Sequence, residues 1–245
     1  MLELNTFSIA ARCPRTGMLG VAVSTAVPAV GGLCSFIKPH VGAIATQSWV
    51  NPYLGIDGLK LLEGGMSAKE TLEALLAEDE GRDERQLGIV DATGRSAAFT
   101  GRNCVDWHGH VVGDGFTVQG NMLVGSATIE KMAEAARLSE PLPLPERLML
   151  VLEAGQSAGG DKRGKQSAHL KVFDTEEYPY YDVRVDDHRN PVAELRRVFE
   201  IAKQQVVPFI DGMPKRSDPL GHIPLQVTEM LLVPPQYRPG GCGGA

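Results

Sequence analysis

The sequence predicts an α+β fold in which strands and helices come in blocks. Short runs rich in Val, Ile and Ala are grouped along the chain, and helical stretches follow them in pairs. The resulting order is strands, two helices, strands, two helices, strands. A doubly wound parallel sheet would instead alternate one strand with one helix. We therefore expect an α+β layered sandwich, and 245 residues suit one large domain or a domain with an arm.

The first block is predicted to open with a β-hairpin. Residues 6–12 and 19–24 form its two strands, and Pro14 and Gly17 between them supply the turn. A third strand is predicted over residues 41–47. Helical stretches follow it.

The clearer helix of this first pair is predicted over residues 67–78. Ser67 and Glu70 have the spacing of a capping box, in which each side chain accepts a hydrogen bond from the other residue's backbone N–H. The apolar stripe of this helix consists of Leu72, Leu75 and Leu76.

The second block repeats the same order. Strands are predicted over residues 87–91, 96–100 and 115–121, with Asp-Ala-Thr-Gly as the turn between the first two. Two helices follow, and Pro145 fits the opening turn of the second one. Their apolar faces are formed by Ile129, Met132, Ala133 and Ala136, and by Leu148, Val151 and Leu152.

The third block completes the predicted domain, which covers residues 1–207. It comprises strands over 169–173 and 181–185 and a helix that begins at Asn190 and Pro191. The inward face of this helix is formed by Leu195, Val198, Phe199 and Ala202.

Residues 208–245 are predicted to form an extended arm and tail without regular structure, because proline is frequent there and the end reads Gly-Gly-Cys-Gly-Gly-Ala. The prolines are Pro208, Pro214, Pro219, Pro224, Pro234, Pro235 and Pro239. An unattached arm would expose several apolar side chains, so we expect it to pack on a neighbouring subunit of a homo-oligomer. These side chains are Ile223, Leu225, Met230, Leu231 and Leu232.

Composition and charge exclude several classes of protein. A net charge of −6 gives no general attraction for nucleic acid or anionic lipid, so we expect neither as a partner. The stretch between Arg15 and Lys38 carries no charge, but Pro28 and several glycines favour buried strands over a membrane span. The N-terminus lacks the features of a signal peptide. We therefore expect a cytoplasmic protein.

The four cysteines, Cys13, Cys34, Cys104 and Cys242, stand far apart and predict neither a zinc site nor a disulfide framework. His108 and His110 would lie on one face of a strand near acidic residues, but solvated turn residues are the commoner explanation. We therefore expect no metal and no cofactor.

Two short motifs suggest chemistry that their context does not support. Residues 155–159 satisfy G-x-S-x-G, with Ser157 as the nucleophile of a serine hydrolase, and residues 159–165 satisfy G-x-x-x-x-G-K. Both motifs need a strand before them and a helix after them. Here a helix is predicted before and a strand after, and Gln166 stands where a phosphate loop has Ser or Thr. A glycine-rich loop at the start of a strand is the preferred interpretation.

Seven blocks, taken in order, resemble a bacterial family catalogued as domain of unknown function 1028, which is assigned to the N-terminal-nucleophile (Ntn) hydrolases. The resemblance spans roughly residues 6–199. The blocks are 6–9 (Thr-Phe-Ser-Ile), 20–23 (Gly-Val-Ala-Val), 41–47 (Val-Gly-Ala-Ile-Ala-Thr-Gln), 118–123 (Val-Gln-Gly-Asn-Met-Leu), 153–156 (Glu-Ala-Gly-Gln), 159–161 with 166–168 (Gly-Gly-Asp and Gln-Ser-Ala) and 184–188 (Arg-Val-Asp-Asp-His). The resemblance implies a four-layer αββα sandwich.

The resemblance also implies site residues. Thr6, an ordinary strand residue when taken alone, would be the nucleophile, and its own α-amine would be the base. Lys38 would lower the proton affinity of that amine by like charge. Asn121 would contact the oxyanion or the substrate. The other expected substrate contacts are Gln47, Gln119, Asp161, Gln166 and Ser167, the last three in a loop that would close over the substrate.

One departure from the family pattern bears on this mechanism. Family members often begin Met-Thr-Phe-Ser, whereas Met-Leu-Glu-Leu-Asn precedes Thr6 here. The amide nitrogen of an intact Asn5–Thr6 bond is not a base. The first hypothesis is therefore an Ntn-type amidohydrolase of a small polar amide, and the alternative is a non-catalytic ligand-binding or scaffolding homo-oligomer of the same fold. A serine hydrolase acting through Ser157 is a third, weaker hypothesis.

Overall fold

The computed structural model describes residues 6–232. The chain divides into two compact units, the first ending at Arg196 and the second beginning at Arg197. This division falls inside a helix, earlier than the predicted boundary after residue 207, which stays a prediction. The glycine-rich end of the predicted tail lies outside the described residues.

The first unit contains two antiparallel sheets. A six-stranded sheet has the order β10-β9-β2-β1-β8-β7, and a four-stranded sheet has the order β3-β4-β5-β6. The strands are β1 Thr6–Arg12, β2 Leu19–Thr25, β3 Ser35–Lys38, β4 Gly42–Ser48, β5 Arg85–Asp91, β6 Ser96–Thr100, β7 Gly109–Gly113, β8 Phe116–Asn121, β9 Ser167–Phe173 and β10 Tyr181–Val185.

Eight α-helices and one short 3₁₀ turn, Arg82–Glu84, connect or follow these strands in the described part of the chain. The helices are α1 Gly31–Cys34, α2 Pro52–Glu63, α3 Ala68–Glu78, α4 Ala127–Leu138, α5 Leu144–Ser157, α6 Pro191–Gln205, α7 Val207–Gly212 and α8 Leu225–Leu232. The α+β class with two antiparallel sheets is thus confirmed.

The helices of the first unit pack on the sheets in pairs. Helices α2 and α3 contact the four-stranded sheet, and α4 and α5 contact the six-stranded sheet. The two sheets contact each other directly, through β1 and β2 on one side and β4 and β5 on the other. Between α2, α3 and their sheet lies a core that includes Ile44, Leu87 and Ile89, all fully buried.

Helix α3 begins as the sequence predicts. Ser67 and Glu70 form the capping box, with both reciprocal hydrogen bonds present. The buried carboxylate of Asp91, at the end of β5, also accepts a hydrogen bond from the backbone N–H of Ala68, 3.1 Å away. The helix start is therefore fixed both by its own cap and by the sheet beneath it.

Strands β3 and β7 and helix α1 are not predicted by the sequence pattern. β3 and β7 are edge strands of their sheets, and their residues are only partly buried or exposed. Such strands carry no continuous apolar run, so hydrophobic periodicity does not reveal them. The residue pair His108 and His110, predicted to be in a turn, straddles the start of β7.

The prediction that no regular structure follows Pro208 is wrong. Helix α7 carries Pro208 in its first turn, where a residue without an N–H breaks no intrahelical hydrogen bond. Pro224 immediately precedes α8, and its carbonyl accepts from the N–H of Val227. Proline therefore starts these helices instead of preventing them. Within residues 6–232, no helix combines the length and apolar character needed to cross a membrane.

Candidate functional site

A cluster of uncharged polar side chains lies between the two sheets at one end of the inter-sheet space. We call it the polar cluster. Its members come from four interior strands of the two sheets and are all 0–2% exposed. They are Thr6 and Ser8 on β1, Gln47 on β4, Gln86 on β5, and Gln119 and Asn121 on β8.

A chain of hydrogen bonds crosses from one sheet to the other through this cluster. Gln119 Nε2 donates to Ser8 Oγ over 2.7 Å. Ser8 Oγ in turn donates to Gln47 Oε1 over 2.6 Å. Gln47 Nε2 then donates to Gln86 Oε1 over 2.7 Å. Because donors and acceptors alternate without a break, the orientation of each amide is set by its neighbour.

Gln86 is the centre of this network. Its Oε1 also accepts from Asn121 Nδ2 at 3.0 Å, and its Nε2 donates to the carbonyl of Gly120 at 2.8 Å and to Thr100 Oγ1 at 2.9 Å. Thr100 Oγ1 is also 2.8 Å from Nδ1 of His110. Partial desolvation of that ring lowers the pKa of His110, which favours the neutral imidazole. His110 is thus a titratable group joined to the otherwise neutral cluster.

Thr6 lies at the beginning of β1, between Thr25 on β2 and Asn121 on β8. Its side chain is fully buried. Its Oγ1 donates to Oγ1 of Thr25 over 3.3 Å, and its carbonyl oxygen accepts from Gln47 Nε2 over 3.2 Å. Thr25 and Gln47 are uncharged, so they orient Thr6 without taking its proton.

Two buried polar atoms beside the network have no hydrogen-bond partner in the structure, namely Gln119 Oε1 and Thr117 Oγ1. Both lie close to the position that a Cβ would occupy at Gly88. Glycine at this point of β5 therefore leaves room for the two side chains. Unsatisfied buried polar atoms are rare in folded proteins and are candidates for contact with a ligand or water.

The strand ends beside the cluster have unusual backbone conformations. Ser48, which follows Gln47, has φ of 69°, and Met122, which follows Asn121, has φ of 51°. Left-handed backbone is uncommon outside glycine and is found more often at functional sites than elsewhere. Both strands therefore turn sharply directly after a member of the polar cluster.

The structure brings together four of the residues expected from the sequence: Thr6, Gln47, Gln119 and Asn121. It does not bring Lys38 to them. Lys38 pairs with Gly42 at the opposite end of β4, five residues or about 17 Å along the strand from Gln47. Its ammonium group instead forms an ion pair with Glu63. We therefore leave Lys38 out of the site.

The other three expected residues lie beside the end of β2. The carboxylate of Asp161 accepts from the backbone N–H of Ala26 at 3.2 Å. Ser167 Oγ donates to the carbonyl of Val27 at 2.6 Å. The side chain of Gln166 donates to Asp187 at 3.0 Å. The contacts of Asp161 and Ser167 are to the residues directly after β2, and the N–H of Gln166 donates to the carbonyl of Thr25 over 2.8 Å. The glycine-rich loop and the start of β9 are thus attached to the end of the strand whose Thr25 contacts Thr6.

The sequence analysis did not identify Ser8, Gln86, Thr100 or His110 as members of this network. A signal for two of them exists in the sequence. Ser8 follows Thr6 at the alternate position of an apolar strand, and Gln86 begins one, so each places a polar group on a face that is otherwise buried. Thr100 and His110 carry no such signal, since their strands are only partly buried.

The structure bears on the short motifs as well. Ser157 is the last residue of α5, and β9 follows the glycine-rich loop. A helix thus enters and a strand leaves, the reverse of what both motifs require. Within residues 6–232, no group of three or more His, Cys, Asp or Glu side chains is placed to hold a metal ion.

Comparison with known proteins identifies a family for this chain. The model of the family of unknown function DUF1028 matches residues 6–195. A crystal structure of protein SPO2555 from Silicibacter pomeroyi, described as DUF1028, has a TM-score of 0.82 and 29% identity, covering 90% of this chain and all of that one. Anbu, an ancestral β-subunit from Yersinia bercovieri, reaches a TM-score of only 0.39 at 12% identity, over 85% of this chain and 98% of that one, which is too low to carry an argument. No curated protein matches the chain. Because the family model covers most of the sequence, the chain belongs to the DUF1028 family.

Proposed function

We propose that this protein is an Ntn-type amidohydrolase whose nucleophile is Thr6, set free by cleavage of the Asn5–Thr6 bond. The proposal includes a four-layer αββα arrangement of the first unit. Its support is the pairwise packing of α2 and α3 on one sheet, of α4 and α5 on the other, and of the two sheets on each other.

The observation that carries the proposal is the position of Thr6. It begins an interior strand of the six-stranded sheet, and it lies at the polar end of the inter-sheet space, where amide side chains converge. The match to the family model also begins at this residue. A nucleophile at the start of a central strand, facing a polar space between two sheets, is what an N-terminal nucleophile requires.

The chemistry follows from a free α-amine at Thr6. Its unperturbed pKa of about 7.7–8.0 lets it accept a proton near neutral pH. In the proposed reaction the amine takes the proton of Thr6 Oγ1 while that oxygen attacks the amide carbonyl, and it then delivers the proton to the leaving amine. Water hydrolyses the resulting ester. Asn121 and Gln119 are the side chains proposed to donate to the oxyanion and the substrate.

The cluster also limits the class of substrate. Its side chains are neutral and offer both donors and acceptors, and two oxygens without hydrogen-bond partners lie in it or beside it, Gln119 Oε1 and Thr117 Oγ1. A small amide with uncharged polar groups fits this chemistry better than a lipid or a long peptide. The loop with Asp161, Gln166 and Ser167 is proposed to cover such a substrate, in the cytoplasm and without a cofactor.

Full burial of Thr6 in the intact chain sets a condition on this proposal. Substrate reaches Oγ1 only if the polar end opens once the Asn5–Thr6 bond is cut. N-terminal sequencing and intact mass of protein from its native host test the cleavage directly. A chain starting at Thr6 supports the proposal, and active protein that still starts at Met1 overturns it.

Activity measurements complete the test. Mature protein is assayed against a panel of small amides by release of the amine product. Thr6→Ala should abolish turnover, whereas Thr6→Ser should keep part of it because the hydroxyl and amine remain. Retention of activity in Thr6→Ala would overturn the assignment.

The same burial favours a second candidate, a non-catalytic ligand-binding or scaffolding homo-oligomer. Thr6 is fully enclosed and is held by neutral partners on both neighbouring strands. A thermal-shift screen with amides, amino acids and short peptides separates the two candidates. Stabilisation without turnover supports the binder, since a ligand that binds only the folded state raises the melting temperature. Light scattering tests the proposed oligomer.

A further inference from the structure

Three side chains outside the polar cluster form a continuous hydrogen-bonded series of serine, histidine and aspartate. Ser35 Oγ is 3.2 Å from His169 Nδ1. His169 Nε2 is 2.8 Å from Asp182 Oδ1. The histidine is 1% exposed, whereas the serine is only partly buried. A hydroxyl at the surface is thus linked through a buried imidazole to a carboxylate.

Three strands and one glycine hold this arrangement. Ser35 begins β3 directly after α1, His169 is on β9, and Asp182 is on β10. His169 and Lys171 are two residues apart on β9, so their side chains lie on the same face of the sheet. Asp182 is directly opposite Lys171 on β10, so its side chain lies on that face too. Gly31 in α1 makes room for the ring, because a Cβ there would lie 2.6 Å from Cγ of His169. Any side chain at position 31 would therefore displace the ring.

The protonation state of the series follows from the charges around Asp182. Burial by itself would raise the pKa of Asp182, but the hydrogen bond from His169 and the charges of His169 and Lys171 lower it. Lys171 Nζ lies 3.2 Å from Asp182 Oδ2. An ionised carboxylate can only accept, so Nε2 of His169 carries a proton whether the ring is charged or neutral. In the neutral ring, the lone pair of Nδ1 is directed at the hydroxyl of Ser35.

We infer that Ser35 is a second nucleophile of this protein, with His169 as its general base and Asp182 as the residue that positions the ring. The arrangement has the roles of a Ser-His-Asp triad with the two ring nitrogens exchanged. Ser35 Oγ attacks the carbonyl of an ester while its proton moves to Nδ1 of His169. The imidazolium then protonates the departing alcohol, and water, deprotonated by His169, releases the acid from Ser35.

The backbone next to Ser35 defines the class of ester. The N–H groups of Gly32, Leu33 and Cys34 are already hydrogen bonded to carbonyls of the same turn. They are therefore not free to stabilise an oxyanion. In serine proteases, each hydrogen-bond donor to the oxyanion raises the rate by about 10²–10³-fold. The substrate must then carry a good leaving group, such as an aryl ester. Gly32, three residues before Ser35, has open space where a side chain would lie, so no side chain at that position of the turn blocks an acyl group.

Ser157 provides the comparison within the same chain. It is exposed at the end of α5 and occupies the G-x-S-x-G motif. Among residues 6–232, no side-chain hydrogen bond joins Ser157 to a histidine or an acid. A hydroxyl without a base reacts slowly, whatever its exposure.

The test uses the full-length protein and two probes, a fluorophosphonate and 4-nitrophenyl acetate. Peptide mass spectrometry should locate the phosphonyl group on Ser35. Ser35→Ala should abolish that label and the burst of nitrophenol, whereas Ser157→Ala should change neither. His169→Gln should slow labelling by about 10²-fold or more. Labelling of Ser157 or another residue in place of Ser35, or no labelling, would overturn the inference.

Variants of Asp182 provide a second test if the His169→Gln protein fails to fold. Asp182 is half-exposed on an edge strand, so Asp182→Asn should fold with a nearly unchanged melting temperature. It should slow labelling of Ser35 about 10-fold by favouring the wrong tautomer, and Asp182→Glu should restore part of the rate. Equal labelling rates in folded wild type, Asp182→Asn and Asp182→Glu would show that the series is only structural and overturn the inference.

Discussion

The two ends of the space between the sheets share strands β1, β4 and β5 but are filled by opposite kinds of side chain. At one end small apolar residues fill the space, and at the other the polar cluster does. The apolar end consists of Ala10, Leu19, Val21, Ala43, Ala45 and Val90. The change occurs within single strands, from Ser8 to Ala10 on β1 and from Gln86 to Val90 on β5.

This difference separates the side chains that pack the two sheets together from those that the packing does not require. The apolar end shows that small side chains suffice to pack the two sheets. Burying six polar side chains at the other end costs free energy unless each is hydrogen bonded, and gives little net stability even when each is. The polar end is therefore the part of the layer whose composition points to function.

The largest expected effect comes from removing the centre of the polar cluster. Gln86→Ala leaves Gln47 Nε2, Asn121 Nδ2 and the carbonyl of Gly120 without their partner. At about 1–3 kcal/mol for each unsatisfied buried group, the variant should lose about 4 kcal/mol in free energy of unfolding. Urea denaturation followed by circular dichroism measures the loss.

The matched control is Gln226→Ala on the exposed side of α8. It removes the same amide from a helix surface and should change the free energy of unfolding by less than about 0.5 kcal/mol. If both variants lose equally little, the cluster is not a cooperative network.

Exchanging neighbouring inward residues of β1 tests the boundary between the two ends. Ser8→Ala removes the hydroxyl that joins Gln119 to Gln47. It should cost about 2 kcal/mol by orphaning a donor and an acceptor. Ala10→Ser adds a hydroxyl directly opposite Thr117, whose Oγ1 is buried without a partner, so it should cost less than about 1 kcal/mol because the two hydroxyls can pair. Thermal unfolding measures both. An Ala10→Ser variant destabilised as much as Ser8→Ala would mean that the boundary residue tolerates no polar group even beside Thr117.

Gly88 lies on β5 between Gln86 and Val90, where the two ends meet. A Cβ at this position would contact the side-chain oxygens of Gln119 and Thr117, so Gly88→Ala should destabilise the fold by about 1.5 kcal/mol through overpacking. Gly125→Ala, with open space around it, should be nearly neutral in the same unfolding assay. A stabilised Gly88→Ala would show that the space beside Gln119 is a void and not a packed contact.

The smallest expected effect is the loss of the stabilising contribution of Asp91 at low pH. Asp91 ends β5, whereas Gln86 near the start of the strand is uncharged and should contribute equally at every pH. Burial would raise the pKa of Asp91, but hydrogen bonds from Thr93, Ala68 and Arg95 lower it. Its contribution to stability is therefore complete above the unfolded pKa of about 3.9 and is lost as the pH falls through the lower folded value. Asp91→Asn should cost about 1 kcal/mol at pH 7.

The measurement is the free energy of unfolding of wild type and Asp91→Asn between pH 7 and pH 2. The difference between the two proteins should shrink toward the acid end, because the wild-type carboxyl becomes neutral there. A difference that stays constant with pH would mean that the charge of Asp91 contributes nothing.

Much of the fold could be predicted from the sequence, because most strands and helices have a recognisable local pattern of residues. The capping box of Ser67 and Glu70 and the alternating apolar residues of β1, β2 and β5 each depend on local chemistry. The edge strands β3 and β7 and the helices α7 and α8 were missed for physical reasons. Neither β3 nor β7 has a buried face, and proline begins a helix as readily as it ends one.

The candidate site was predicted less completely. Thr6, Gln47, Gln119 and Asn121 were named from the family resemblance, and the structure places them in one cluster. Gln86 was not named, although it holds the network together, because its partners lie on strands of both sheets. Lys38 was named with them, but it ends β3 opposite Gly42, at the end of β4 away from Gln47.

By itself, the sequence determined the α+β class, most strands and helices, and the presence of polar residues on otherwise apolar strands. Only the tertiary structure decided which of those residues meet. Strand propensity and helix caps act between neighbours in sequence, so a pattern of a few residues reveals them. A hydrogen bond such as that from Gln119 to Ser8, or the contact between His169 and Ser35, joins residues more than a hundred positions apart. Such contacts depend on sheet order and register, which are set when the whole chain packs.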